Sequence, residues 1–354
     1  MKTARQSLSA LLAGLALAAA CVPLLAQQTQ QILGQPPLCE ASAAVILPCP
    51  EPPGDCLVVG DNEVKDRLFH FPIHNGAVMT DKQGDLEIPD AAKNEVADIE
   101  ALVALGGDQL LVWGSHSRNS DCEAKDKRRR FTVLGLAAGK PNTGRRVKSP
   151  AIDCGVLPTP QTAPDPVAAA VCATITVAER HAQQSAGTGT KAECEKANPF
   201  NAEGALAVPG STEPRIWIGL RAPLLAVHPT DPAHGQLAIL LRLKDLDAFT
   251  ADRIALLDLD GRGVRDLAYA DGEVWVIAGP SDDREEPFQL RHFPAAALDG
   301  SAVISTGWAR NLPSSAEGLA IQGQQAFVVI DGSEPLNGNT ACQKPAGLVV
   351  FDLP

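Results

Sequence analysis

One phrase recurs along this 354-residue chain and limits what the chain can become. "DIEALVALGGDQLLVWGSHSR" starts at Asp98, "NAEGALAVPGSTEPRIWIGLR" at Asn201, "GVRDLAYADGEVWVIAGPSD" at Gly263 and "SAEGLAIQGQQAFVVIDGS" at Ser315. Each has a polar or acidic opening, a short apolar stretch, a Gly- or Asp-containing turn and a β-rich run. Two apolar runs around such a turn form a hairpin. A divergent copy, "CEASAAVILPCPEPPGDCLVVGDNE", opens at Cys39. The acidic slot of the phrase is thus filled by Glu40, Glu100, Glu203, Asp266 and Glu317, at intervals of 60, 103, 63 and 51 residues.

Intervals of roughly 40 to 60 residues suit one four-stranded blade of a β-propeller. Third strands follow at "RLFHFPI", "RRFTVLGL", "LAILLRL", "FQLRHFP" and "GLVVFDLP", and fourth strands at "DLEIP", "RRVKSP", "RIALLDL" and "AVISTG". The last repeat ends after three strands, and "TQQILG" ahead of the first repeat is expected to complete it. Such closure removes the exposed sheet edge. The expected fold is all-β, a propeller of five blades spanning residues 27–354, with six as the alternative. The long interval decides between them: residues from about 137 to 200 are read as an insertion, helical from about Pro166 to Gln184 and stapled by disulfides, rather than as a degenerate blade.

The N-terminus reads as an export signal over residues 1–26, with Lys2 and Arg5 ahead of the apolar run "LSALLAGLALAAACVPLLA". Eight cysteines remain beyond Cys21, an even number suited to an oxidising compartment. Cys49 with Cys56 would staple a hairpin, Cys39 with Cys342 would join the chain ends, and the other four would tie down the insertion. A periplasmic or secreted protein is expected, with a lipoprotein anchored at Cys21 as the alternative. No later stretch is long and apolar enough to cross a bilayer. A formal net charge of −12 argues against nucleic acid as a partner. An aromatic content of 4% is too low for base-stacking platforms. A monomer is expected.

In a propeller the innermost strands line a central channel, so equivalent slots meet at one ring. Five like charges there would repel unless cations neutralise them. A carboxylate ring also supplies the six to eight oxygens that Ca²⁺ takes. The acidic slot residues are therefore candidate metal ligands, and Ca²⁺ the candidate cofactor. The alternative is that they bond backbone amides within their own blades. The ends of the second strands should open on the same face: Asp61, Asn62 and Glu63; Ser115, His116, Ser117 and Arg118; Arg221; Ser281, Asp282 and Asp283; and Asp331. Arg118 and Arg221 are candidate anion-binding groups and His116 a candidate proton-transfer group. The bland reading has the two arginines neutralising Glu100 and Glu203. "KDKRRR", Lys125 to Arg130, reads as a solvated strand edge, and no Walker, GxSxG or HExxH motif occurs.

"GSHSR" and "LDGRGVRDLA", with the "AEG" openings, resemble a bacterial family of uncharacterised proteins, DUF3616, over about residues 38–353. That family is similar to propellers whose blades open with "EG", the esterase-like phytase group among them. The resemblance implies a propeller and no settled activity. Glu203-Gly204 and Glu317-Gly318 keep the pair, whereas Glu100-Ala101 and Asp266-Leu267 depart from it. The expected function is an exported propeller that binds a small anionic ligand or an envelope protein at a carboxylate-lined channel mouth. The alternative is a metal-dependent hydrolase of phosphate esters.

Overall fold

A computed structural model describes residues 30–354 apart from 52–53, 107, 149–154, 156, 158–164, 188–189, 211–214, 283, 285 and 336–341. The export signal, Asp283 and Cys154 therefore lie outside the described residues. Five antiparallel sheets, one per repeat, form a closed ring. Blade I comprises Ala41–Pro48, Asp55–Asp61, Arg67–His74 and Gly84–Glu87. Blade II comprises Ile99–Gly106, Gln109–Gly114, Arg130–Ala137 and Lys140–Lys148. Blade III comprises Asn201–Val208, Arg215–Ala222, Gly235–Asp245 and Thr250–Asp258. Blade IV comprises Gly263–Ala270, Glu273–Gly279, Phe288–Pro294 and Ala309–Leu312. Blade V comprises Ala316–Gln322, Gln325–Ile330 and Gly347–Asp352, completed by the N-terminal Gln31–Ile32, whose residues pair with Leu348 and Gly347.

The second strand of each blade is continuously apolar through its middle, as in "LLVWG" and "AFVVI", because a blade is covered on both faces by its neighbours. The core accordingly divides into five layers, one between each pair of adjacent blades. Trp113 and Phe131 of blade II meet Ile218 and Ile239 of blade III, and Phe71 of blade I meets Phe327 of blade V. At Gly318, where blade V meets blade I, an added Cβ would lie 2.9 Å from the carbonyl carbon of Ala43. Only glycine lets these two backbones approach so closely.

One strand departs from expectation. Ile304–Ser305, within "AVISTG", pairs in parallel with the outer strand of blade III, at Leu257 and Asp258. Ala309–Leu312 takes the outer place in blade IV instead, pairing with Phe288–Arg291. The segment thus bridges two blades before joining its own.

Blade II ends at Lys148 and blade III begins at Asn201. Between them helix α1 spans Pro166–Ser185, started by Pro166 and by Asp165, whose side chain accepts hydrogen bonds from Val167 and Ala168. Its stripe of Ala168, Val171, Ile175, Ala178 and Ala182 is buried, and Val171 and Ile175 join the core between blades II and III. A shorter helix, α2, covers Lys191–Ala197. Disulfides join Cys39 to Cys342, Cys49 to Cys56 and Cys122 to Cys194, and Cys172 is also disulfide-bonded. No helix among the described residues is long and apolar enough to cross a membrane.

The Cys39–Cys342 bridge closes a span of 303 residues beside the ring closure. Cys39→Ser/Cys342→Ser is expected to lose about 2 to 5 kcal/mol of stability. Urea unfolding of the oxidised protein measures this; midpoints within error of each other would show that the bridge does not brace the closure.

Candidate ligand-binding cleft

Every innermost strand begins with a register shift against its neighbour. The shift falls between Ala41 and Ala43, Ile99 and Ala101, Ala202 and Gly204, Val264 and Asp266, and Ala316 and Gly318. Such a bulge leaves one residue unpaired and re-aims its side chain. The residues at that position are Ser42, Glu100, Glu203, Arg265 and Glu317. The equivalent slot therefore differs from the one expected in two blades. Blade I places Ser42 there, with Glu40 two residues earlier, and blade IV places Arg265 there, with Asp266 one residue later.

This exchange changes the electrostatics. Arg265 donates to Glu203 at 2.9 Å and to Glu317 at 3.0 Å, so a cation of the chain itself already bridges two of the carboxylates. Arg221 adds a second bond to Glu203 at 2.9 Å. Burial opposes ionisation of Glu203, but Arg221 and Arg265 outweigh it and hold its carboxyl below the usual range. Glu317 bonds Arg265, and burial pushes its carboxyl up against the pull of Arg265 and Arg221. Ser42 bonds the carbonyl of Ile99. Asp266 is turned into the protein, 2% exposed, and accepts from the backbone N–H groups of Leu267 and of Leu319, each at 2.7 Å. It ties blade IV to blade V and does not line the cleft.

Above the ring opens a cleft of about 510 Å³, lined by Glu40, Asp98, Glu100, Glu203, Asp282, Glu317 and Asp331 together with Arg118, Arg128 and Arg221. Seven carboxylates thus face three arginines, and the arginines have partners. Arg118 binds Glu179 of α1 through two nitrogens, at 2.9 and 3.1 Å, and the Cys122 carbonyl at 2.9 Å. It braces the insertion over the rim. Arg128 reaches Asp98 at 2.6 Å and Ser117 at 2.8 Å. Arg221 holds Glu203. The insertion supplies Cys194, Asn198 and Pro199 to the same wall.

The acceptors are less well served. Glu100 is 8% exposed and meets no hydrogen-bond donor or ion-pair partner among the described residues. Burial first, then Asp98, Glu203 and Glu317, push its carboxyl well above the usual range against the pull of Arg221. Asp331 is pushed up to about 8, by burial first and then by Glu317, Glu40 and Asp61, and its Oδ1 is buried without a donor. The side-chain oxygens of Asn62 and Asn201, both on the cleft wall, are likewise buried without donors. No three carboxylate, histidine or cysteine side chains among the described residues stand close enough together to hold a metal ion.

The structure thus brings Glu40, Glu100, Glu203, Glu317, Arg118 and Arg221 to one cleft and leaves out Asp266 and His116. His116 is buried, stacked on Trp113 at 4.3 Å and on Phe249 at 5.2 Å, and its Nδ1 lies 2.7 Å from the Gly114 carbonyl oxygen. Burial lowers its pKa to about 4, so it stays neutral as a packed ring rather than a proton carrier at the cleft. Arg265, Arg128 and Asp98 escaped the sequence reading. A gapless match on the shared Leu-Ala pairs, Leu267-Ala268 with Leu319-Ala320, would have set Arg265 beneath Glu317. Arg128 belongs to "KDKRRR", only part of which is solvated edge.

The DUF3616 family, described as a protein of unknown function, matches residues 79–307. The chain belongs to the DUF3616 family. No curated protein matches it. Solved structures show a distant likeness at low identity. The PQQ-bound aldose sugar dehydrogenase of Streptomyces coelicolor is 12% identical with a TM-score of 0.38, over 92% of this chain and 99% of that one. The exo-beta-1,3-galactanase 1,3Gal43A of Clostridium thermocellum is 11% identical with a TM-score of 0.43, over 92% and 62%. The glutaminyl cyclase of Myxococcus xanthus is 9% identical with a TM-score of 0.38, over 92% and 96%. Likeness at this level carries no information about the activity of this DUF3616 chain.

Because the pKa of Asp331 rises from 3.8 to about 8 on folding, its contribution to stability is fully present below the unfolded value. It is lost as pH climbs through the folded value. Asp331→Asn cannot ionise and escapes that loss. The melting temperature of the native protein should therefore fall relative to Asp331→Asn between about pH 4 and pH 8. Parallel melting profiles across that window would contradict the assignment.

Proposed function

We propose that this protein is an exported binding propeller whose cleft takes a positively charged small ligand. The observation that carries the reading is Glu100, a carboxylate 8% exposed on the cleft wall with no donor or cation bonded to it. A buried carboxylate without a partner costs several kcal/mol in its ionised form, and a bound cation removes that cost. Asp331, with an orphaned oxygen in the same cleft, supports the same polarity of ligand. Ca²⁺ enters only as the metal alternative to be tested, since no three acids among the described residues stand close enough together to hold it.

An anionic ligand loses its basis once Arg118, Arg128 and Arg221 are each bonded to a carboxylate. To bind a phosphate ester, such an arginine would have to release its partner into an already acidic cleft. With His116 packed beneath Trp113, nothing at the cleft favours hydrolysis over binding. Export rests on the leader-like opening of the sequence and on disulfides suited to an oxidising compartment.

Thermal shift with two ligand panels tests the reading. One panel carries ammonium and guanidinium compounds and Ca²⁺; the other carries phosphate monoesters and dicarboxylates. A cation at about 100 times its Kd should add about 2.7 kcal/mol, and Glu100→Gln should remove most of that gain. Stabilisation by the anionic panel alone would refute the proposal.

A further inference from the structure

We infer that the ligand of the cleft is an organic dication, with one positive group set at Glu100 and the other at Asp331. The inference rests on the cleft being a cation site and adds what kind of cation fits it.

The two under-served acids belong to different parts of the ring. Glu100 lies in the innermost strand of blade II, and Asn201, whose Oδ1 is buried without a donor, starts the innermost strand of the adjacent blade III. Asn201 donates its amide N–H to Glu203 Oε1 at 2.8 Å, which leaves its oxygen as the unused end. Asp331 follows the second strand of blade V, and Asn62, also with an orphaned Oδ1, follows the second strand of the adjacent blade I. The same cleft thus holds two carboxylates and two neutral amide oxygens short of donors. An ammonium group carries three N–H donors and no acceptor, so it answers such a set.

Glu203 and Glu317 already share a cation of the chain itself, Arg265. Glu317 is the common neighbour: it pushes up both Glu100 and Asp331, whereas Glu40 and Asp61 act on Asp331, and Asp98 and Glu203 on Glu100. No three acids among the described residues stand close enough to share one metal ion, but two charges on one carbon chain can reach acids on different blades. The volume agrees, since about 510 Å³ is the size of a site for a small organic molecule.

Calorimetric titration of the full oxidised protein near neutral pH decides the matter, with 1,4-diaminobutane, 1,5-diaminopentane, butylamine and CaCl₂ as probes. At least one diamine should bind about tenfold or more tightly than butylamine, the gain expected when a second charged contact worth about 1.4 kcal/mol is made. Glu100→Gln and Asp331→Asn should each bring the diamine close to the butylamine value. Equal binding of diamine and monoamine, or Ca²⁺ binding tighter than either diamine, overturns the dication while leaving a cation cleft standing. Failure of every cation to bind overturns the cleft reading as well. The diamine-to-monoamine ratio in the native protein decides even where a variant does not fold.

Discussion

The bulge at the start of each innermost strand is the constraint from which the rest follows. It turns one side chain per blade toward the channel at the same level, so the ring composition is set by five residues: Ser42, Glu100, Glu203, Arg265 and Glu317. Three carboxylates crowded into a water-poor ring would repel strongly, and burial alone would drive them to protonate. A single arginine in blade IV changes that balance by bonding Glu203 and Glu317 together. What remains is Glu100, with no cation of its own.

The surplus of acceptors extends upward from the ring. Glu40, Asp98, Asp282 and Asp331 rise around the rim, and the arginines among them are each engaged. The insertion between blades II and III reinforces the polarity rather than relieving it. Its helix draws Arg118 outward to Glu179, and its disulfide to Cys122 sets Cys194 and the residues after it as one wall. Glu179 also accepts from the Phe200 backbone at 2.9 Å, fixing the approach to blade III. The insertion therefore shapes the cleft, and its described residues on that wall, Cys194, Asn198 and Pro199, carry no positive charge.

The blade count, the hairpins, the closing strand at Gln31–Ile32 and the Cys39–Cys342 and Cys49–Cys56 disulfides were legible from alternation, turn residues and an even set of cysteines, whereas the pairing of Cys122 with Cys194 was not. Helix α1 was legible from its alanine-rich composition and its Asp-Pro start. The ring was legible only in part, because the repeats were aligned on acidity. Geometry aligns them on the apolar residues that follow, which sets Ser42 and Arg265 in the slot and turns Asp266 into a clamp on Leu319. The packing of His116 was hidden for a different reason. Its neighbours Trp113 and Phe249 are far apart in sequence, and only the packing of blade II on blade III makes a stack of the three. Arg128 was hidden likewise, since its bond to Asp98 depends on the chain folding back after the second strand of blade II.

The central claim is that acids held protonated in the empty cleft ionise when a cation arrives. Proton release on binding measures it directly. Calorimetry of 1,4-diaminobutane binding near neutral pH, in two buffers of different ionisation enthalpy, reports the number of protons exchanged. The account predicts net release to the buffer, because an ammonium group replaces the proton of Asp331, pushed up to about 8, and burial pushes Glu100 in the same direction. Binding heats identical in the two buffers, or proton uptake, would contradict it.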